Sequence, residues 1–585
     1  MTEPSAPTSA ALTETAMPTP PMEFNLWGTP DEAKDLSASV KKMLHKMLGV
    51  TEPSPRRELS EVRLSPVQLS DADLAELQGI VGAEYVSTQQ EQRAPRARGK
   101  SYLDLVDWRL DQVIAAPDAV VAPGSEEEVL AVLQWCSQQS VAVVPFGGGT
   151  SVVGGLSPLA GDHRAVISVD LARFDQCEDV DAESGLATLG AGLSGPHAEM
   201  LLAQHGLQIG HFPQSFPYAS IGGFAATRSS GQNSAGYGRF DEMVRELTVV
   251  TPKGILHPGQ ASPATAAGPQ LKQLFLGSEG LFGIITRVRL RVHPIPETKL
   301  YEAFSFPTFA DGVRALRTVE QTGAGPTVLR LSDEIESSVN LTSTDKIGEQ
   351  DESAHTGCLA ITLFEGTTQH AQSRHQETRA LMQRLGGESL GEGPARKWEE
   401  GRFGAPVLRD SLMDAGALCE TLETATDWSN VPRLKKAVGE ALAKALVHDG
   451  TPALIMCHVS HVYAEGCSLY FTIVGAAGPQ PQARWRAAKQ AATQAIADNG
   501  GTVTHHHAVG TDHLPWMDAE IGALGIEILR AVKREVDPEG ILNPGKTFDL
   551  SAQSRVGAGN GPAATPAASG ASTLSPAIDE GGEGQ

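Results

Sequence analysis

Apolar positions in this chain recur with two different periods, and the two alternate from about residue 117 onward. Ala119-Val-Val-Ala122 and Val141-Ala-Val-Val144 are short continuous apolar runs that predict strands, and Glu126 to Ser137 between them carries the spacing of a helix. Upstream, residues 37 to 49 place apolar side chains at helical intervals and end in a glycine suited to a C-cap, predicting an N-terminal helical lead-in. Beyond Pro294-Ile-Pro296 the alternation continues, with Leu359-Ala-Ile-Thr-Leu-Phe364 as a strand and Val431 to Val447 as a long helix. Helix and strand in alternation imply an α+β or α/β architecture.

Glycine clusters interrupt this pattern at three places within one region. Pro145-Phe-Gly-Gly-Gly-Thr-Ser-Val-Val-Gly-Gly155 closes the Val141–Val144 run, and two further glycine-bearing loops span 214–230 and 277–286. Glycine lets backbone N–H groups approach an anion without an intervening Cβ, and successive N–H groups form a concave anion nest. Thr150 and Ser151 add hydroxyl donors. The spacing is neither G-x-G-x-x-G nor G-x-x-x-x-G-K-[ST], so neither the Rossmann nor the P-loop phosphate site is expected.

Composition narrows the functional classes. With 585 residues and 41% apolar content, the chain can bury the cores of two or more domains. Residues 1–21 and 551–585 are rich in Ala, Ser, Thr, Gly and Pro and read as disordered tails. A net charge of −24 opposes nucleic-acid phosphates, and no long basic stretch offsets it. The one basic cluster, Arg93 to Lys100, reads as surface or as the rim of a ligand site. No leader-like or membrane-spanning run stands out, so a cytoplasmic protein is expected. Six cysteines without CxxC spacing suit reduced thiols rather than disulfides or zinc.

The three loops in this order resemble the FAD-binding domain of the vanillyl-alcohol oxidase type of flavoprotein. That resemblance implies an α+β fold: a two-subdomain FAD-binding domain plus an α/β cap (substrate) domain with an antiparallel sheet. The expected organisation is a lead-in over 22–115, the FAD-binding domain over 116–297, the cap over 298–504 and a C-terminal segment, 505–550, docking on the FAD-binding domain. By the same resemblance Pro145, Phe146, Gly147, Gly148, Gly149, Thr150 and Ser151 cradle the pyrophosphate of FAD. Gln214, Ser215, Phe216, Pro217, Tyr218, Ala219 and Ser220, with Thr227, Arg228, Ser229 and Ser230, pass near flavin and ribityl. Glu279, Gly280, Leu281, Phe282, Gly283, Ile284 and Ile285 contact the adenosine half and the isoalloxazine. No His or Cys stands in the first loop where a covalent flavin link would be expected, so the FAD is expected to be non-covalent.

The second half distinguishes the branches. FAD-linked 2-hydroxy-acid dehydrogenases carry a metal-binding H-x-G-D-G-N-x-H segment and a later E-H-G-x-G segment. Here the first reads His461-Val-Tyr-Ala-Glu-Gly-Cys-Ser-Leu-Tyr470 and the second Thr504-His-His-His-Ala-Val-Gly510. The tyrosine and the triple histidine resemble the alkyldihydroxyacetonephosphate synthase family of ether-lipid synthesis. Leu329-Arg-Leu-Ser-Asp333, Leu408-Arg-Asp410 and Phe24-Asn-Leu-Trp-Gly28 have counterparts there, so the resemblance covers residues 22 to 545. The ending Ile541-Leu-Asn-Pro-Gly-Lys546 and the lack of a peroxisomal address fit a bacterial member.

That family exchanges the acyl group of acyl-dihydroxyacetone phosphate for a fatty alcohol, holding the triose through flavin N5 without net redox change. The resemblance implies Tyr470 as base, His505, His506 and His507 as proton carriers, Arg330 beside the flavin and Arg409 on the substrate phosphate. A phenol serves as base if cationic neighbours lower its pKa from about 10. On a strand, His506 would point away from His505 and His507. Consecutive histidines are poor chelators, so no metal is expected. The bland alternatives are ion pairs of Arg330 with Asp333 and of Arg409 with Asp410. The rival functions are an FAD-linked oxidase or dehydrogenase of a 2-hydroxy acid, in which the two arginines hold a carboxylate, and a flavin-binding sensor without turnover. Lipid substrates imply contact with a membrane surface, and residues 37–49, with Lys41, Lys42 and Lys46, either pack in a core or lie there. The family also suggests a homodimer.

Overall fold

The computed structural model describes residues 22–30, 32, 35–259, 262–341, 357–447 and 450–548; the two tails lie outside the described residues. The lead-in helix Ala38–Leu48 starts on Ser37, whose hydroxyl accepts from the Val40 N–H, and stops at Gly49 in the left-handed conformation. Its apolar face, Val40, Leu44 and Leu48, is buried against Leu412, Ala417, Met456 and Val474. It is therefore a packed core helix rather than a surface-lying one.

Two sheets share the next core. Val86–Ser87, Ala119–Val121, Ala165–Asp170 and Val141–Phe146 form the first in that order, the last three parallel. Gly254–Leu256, Val244–Thr251, Ile284–Arg291, Leu186–Gly190 and Cys177–Asp181 form an antiparallel second sheet. The helix Glu126–Gln139, capped by the Ser125 hydroxyl, sends Val129, Val132 and Leu133 into a core shared with Val143 and Ile167 of one sheet and Val250 and Ile284 of the other. Parallel strands buried on both faces explain why the sequence there reads as continuous apolar runs.

A seven-stranded antiparallel sheet follows, in the order Glu388–Gly391, Thr298–Phe306, Cys358–Gly366, Val328–Ser332, Leu454–Val462, Gly466–Ala476 and Ala417–Asp427. Alternate residues of the last strands go to opposite faces. Cys457, Val459, Leu469, Phe471 and Leu422 enter the core formed with helices Phe309–Gln321, Val431–Ala445 and Pro481–Asp498. The other face carries His458, Tyr470, Thr421 and Glu423.

The C-terminal segment returns to the first sheet. Val143 donates to the Ile541 carbonyl at 2.8 Å and accepts from Asn543 N–H at 2.8 Å, so residues 541–543 add to the edge beside Val141–Phe146. The basic cluster is not surface. Arg93 and Lys100 are 6% and 3% exposed; Arg93 donates to the Pro117 and Ser65 carbonyls, and Lys100 to the carbonyls of Glu23 and Phe24. Buried cations must be hydrogen-bonded, and these two find backbone oxygens that tie the lead-in to the domain. The six cysteines are all unpaired thiols.

Candidate functional site

The first glycine loop meets the second at close range. A Cβ on Gly148 would sit 2.1 Å from the Tyr218 carbonyl oxygen, and one on Gly147 2.2 Å from Ser220 Oγ. Gly149 has φ +71°, open to glycine and strained for other residues. Among the described residues the amides of Gly147, Gly148, Gly149 and Thr150 donate no hydrogen bond. Buried or half-buried donors without partners are uncommon, and a row of them at a strand end suits an anion such as a pyrophosphate. Gln214 Nε2 is likewise buried without a partner. Ser220 caps the short helix Ile221–Ala226 through the Gly223 N–H, and Phe216 stacks on Phe403 at 5.5 Å.

Other residues of these motifs make the frame. Thr227 donates to the Gly223 carbonyl, Ser229 pairs with His211 at 3.0 Å, and Arg228 donates to the Leu276 carbonyl at 3.0 Å. Ile284 and Ile285 pair with Val250 and Val249 inside the antiparallel sheet. The buried Glu279 carboxylate accepts from Val509 N–H at 3.0 Å and Gly510 N–H at 2.9 Å. Glu279 thereby fastens the segment after the triple histidine to the FAD-binding half.

Tyr470 lies directly between two cross-strand partners, His458 and Glu423, all on one face of the large sheet. Its hydroxyl donates to Thr421 Oγ1 at 3.0 Å and its ring stacks on His458 at 4.9 Å between centroids. His506 stacks at 6.1 Å and His507 meets the phenol edge-on at 5.6 Å.

The triple histidine is not a strand. It bends around Glu423, whose buried carboxylate accepts the N–H groups of His505, His506 and His507 at 2.8–3.1 Å and the Thr504 hydroxyl at 2.8 Å. The rings of His506 and His507 therefore both reach Tyr470, where strand alternation would have turned His506 away. His505 Nδ1 and His506 Nδ1 are 2.9 Å apart and share one proton, and His505 Nε2 meets Tyr463 OH at 2.5 Å. Nitrogens of His461, His505 and His506 converge within 4.8 Å, so adjacency in sequence does not keep these histidines from a common centre.

The electrostatics reverse one expectation. Burial pushes the Tyr470 phenol up to about 12 rather than below its usual range. Burial also pushes His507 down to about 3 and lowers His505, His506 and His458, so the rings are neutral and supply no cationic field. Burial works against the Glu423 charge, but in the acid range where the carboxyl would titrate the neighbouring histidines take up protons, and they and the backbone amides outweigh burial and hold the carboxyl well below the usual range.

Two arginines flank this group. Arg330 pairs with Glu336 at 2.6 Å, and Glu336 with His458 Nδ1 at 2.9 Å, a chain that ends on the ring stacked against Tyr470. Asp333 is instead taken by Lys435 at 3.1 Å, because a residue at the start of helix Glu334–Leu341 faces helix Val431–Ala445. Arg409, in helix Ala405–Asp414, donates from Nη1 to the Lys100 carbonyl at 2.6 Å, while its Nε and Nη2 are buried without a hydrogen-bond partner. Asp410 is 3.7 Å from Nη2, beyond hydrogen-bond reach, and accepts instead from the Trp27 N–H at 2.5 Å.

Residues 117–258 match the FAD binding domain family, and 295–547 match the C-terminal domain of FAD linked oxidases. The alkyldihydroxyacetonephosphate synthase of Trypanosoma brucei brucei is 30% identical over 515 residues, 84% of this chain and 83% of that protein. The chain belongs to the alkyldihydroxyacetonephosphate synthase family. A solved structure of an alkyldihydroxyacetonephosphate synthase superposes with a TM-score of 0.76 at 27% identity, covering 89% of this chain and 98% of that one. A mitochondrial D-lactate dehydrogenase [cytochrome] of Arabidopsis thaliana is 27% identical over 74% of each chain. FAD is the cofactor of this family member, and the unpaired amides of the first loop fit its pyrophosphate.

Sequence reasoning within the synthase family missed Glu423, Glu336 and His458. For Glu423 the signal was present as a glutamate inside a largely apolar strand, Leu418-Cys-Glu-Thr-Leu-Glu423, a place where charge is seldom found unless it is paired; for Glu336, on a helix, and for His458 the local sequence carried none.

Proposed function

We propose that the protein is an FAD-dependent alkylglycerone-phosphate synthase that exchanges the acyl group of acyl-dihydroxyacetone phosphate for a fatty alcohol. The observation that carries this reading is Tyr470 enclosed by neutral histidines beside a buried arginine with two unused donors. FAD, bound without a covalent link, supplies an electrophilic oxidised ring. The chain's own residues must then bind a phosphate and move a proton. Arg409 offers the planar fork for bidentate binding of that phosphate. With its pKa raised, Tyr470 serves as a neutral relay rather than as a phenolate base, giving its own proton to His506 as it takes the substrate's; His506 is a neutral imidazole whose protonated form is supported by Glu423, 3.6 Å from Nδ1. Arg330 acts at a distance, holding Glu336 and so the His458 ring under the phenol. Arg330 already gives Nη2 to Glu336, so a carboxylate clamp of two arginines, as the oxidoreductase alternative requires, would have to share this guanidinium with Glu336.

Among the described residues no helix is long and apolar enough to cross a membrane. Ile521, Leu524 and Ile528 stand 38%, 74% and 56% exposed along helix Met517–Val536. That stripe, rather than the lead-in helix, is the surface for contact with the membrane that holds the lipid substrates, or with a second copy.

The test is anaerobic incubation of the flavoprotein with palmitoyl-dihydroxyacetone phosphate and labelled hexadecanol, following flavin absorbance and product. Labelled alkyl-dihydroxyacetone phosphate without lasting bleaching is expected. No ether product, with bleaching by a 2-hydroxy acid, would establish the oxidoreductase instead.

A further inference from the structure

Three consecutive histidines cannot present their rings to one partner from a regular strand, since the middle one faces away. We infer that Glu423 solves this problem and is a positioning residue for proton transfer at Tyr470, an inference that rests on the reading of Tyr470 as the proton-transferring group.

The geometry supports it from three sides. An ionised carboxylate offers acceptors only, and Glu423 spends them on three successive amides and the Thr504 hydroxyl, which is what curls residues 504–507 into a single bend. Among the described residues no lysine or arginine pairs with it, so its partners are this bend and the histidine rings themselves. Glu423 is also the cross-strand neighbour of Tyr470, so bend and phenol are fixed from the same pair of strands. Glu279 holds Val509 and Gly510 from the other domain, leaving 505–508 suspended between two buried carboxylates. A displacement of the bend is therefore a displacement of His506 and His507 relative to the phenol.

The experiment is a double-mutant cycle of Glu423→Gln with Tyr470→Phe on the FAD-loaded protein, read by single-turnover kinetics and by 15N NMR of the histidine rings. Glutamine keeps one acceptor but turns an NH2 group toward the amide donors. A misplacement of this kind is expected to lower kcat about 100-fold. KM should change by less than about threefold, because an interaction needed only for the chemical step is lost. In the Tyr470→Phe background the same change should cost less than about twofold, since the histidines no longer have a phenol to serve. The ring resonances of His505, His506 and His507 should pass from fixed tautomers to averaged ones. Equal losses in both backgrounds, a change confined to KM, or unchanged ring resonances would overturn the assignment. Thr504→Val, which removes one donor from the carboxylate, serves if Glu423→Gln loses its flavin; the same NMR change and a smaller kcat loss are expected, and no change would overturn it. If the wild-type protein forms no ether product, the functional reading falls, and the NMR comparison alone then decides for or against Glu423.

Discussion

Arg409→Met separates the cost of an unused guanidinium from its use. In the ligand-free protein Nε and Nη2 are buried without hydrogen-bond partners, and each such donor costs about 1–3 kcal/mol. Methionine removes both donors and keeps most of the volume, but gives up the Nη1 bond to the Lys100 carbonyl, worth about 1.5–3 kcal/mol for a charged donor. It also leaves Asp410 with the Trp27 amide as its hydrogen-bond donor. The charge pairing with Asp410, fully buried 3.7 Å away, is lost as well, and removing one partner of a buried ion pair costs about 3–5 kcal/mol, so the ligand-free variant should be destabilised by about that much. Ligand should separate the two proteins. Dihydroxyacetone phosphate at a hundred times its Kd stabilises a binding-competent fold by about 2.7 kcal/mol. The assay is the thermal midpoint of the flavoprotein with and without dihydroxyacetone phosphate. A ligand-dependent rise is expected in the wild type and none in Arg409→Met, with Arg409→Lys between them because an ammonium keeps charge but not the fork. An equal rise in wild type and Arg409→Met would refute the assignment of the phosphate to this arginine. An unchanged stability without ligand would refute the charge pairing of Arg409 with Asp410.

Tyr470→Phe should keep its flavin spectrum and lose about 10²–10⁴ in ether formation, the usual worth of a positioned proton carrier; a near-normal rate would remove Tyr470 from the chemistry. Gly148→Ala places a Cβ 2.1 Å from the Tyr218 carbonyl and should part the two flavin loops, so the purified protein should show a flavin-to-protein absorbance ratio well below that of the wild type. Burial pushes the Lys546 ammonium down to about 7, below its unfolded value of 10.5. The unfolded chain then binds more protons between pH 7 and 10.5, so stability rises with pH in that window. Lys546→Met lacks the group, and denaturant midpoints at pH 7 and 9.5 should lie closer together than in the wild type.

The sequence by itself determined the local pieces and the nucleotide chemistry. Continuous apolar runs such as Val141–Val144 are strands wherever both faces are buried, and a glycine cluster at their end can only leave its amides open. The lead-in helix was legible from Ser37, Gly49 and the spacing between them. What contact at long range decides was not legible. Glu423 and the histidines are about eighty residues apart, and local pattern says nothing of a carboxylate that will arrive from another strand. The histidine segment has no ladder of its own, so its shape is set by the two carboxylates that reach it. The same holds for charge. Tyr470, His505, His506 and His507 suggested a cationic cluster when read as residue types, but ionisation depends on access to water, and only the packed structure, by removing that water, made the imidazoles neutral and raised the phenol.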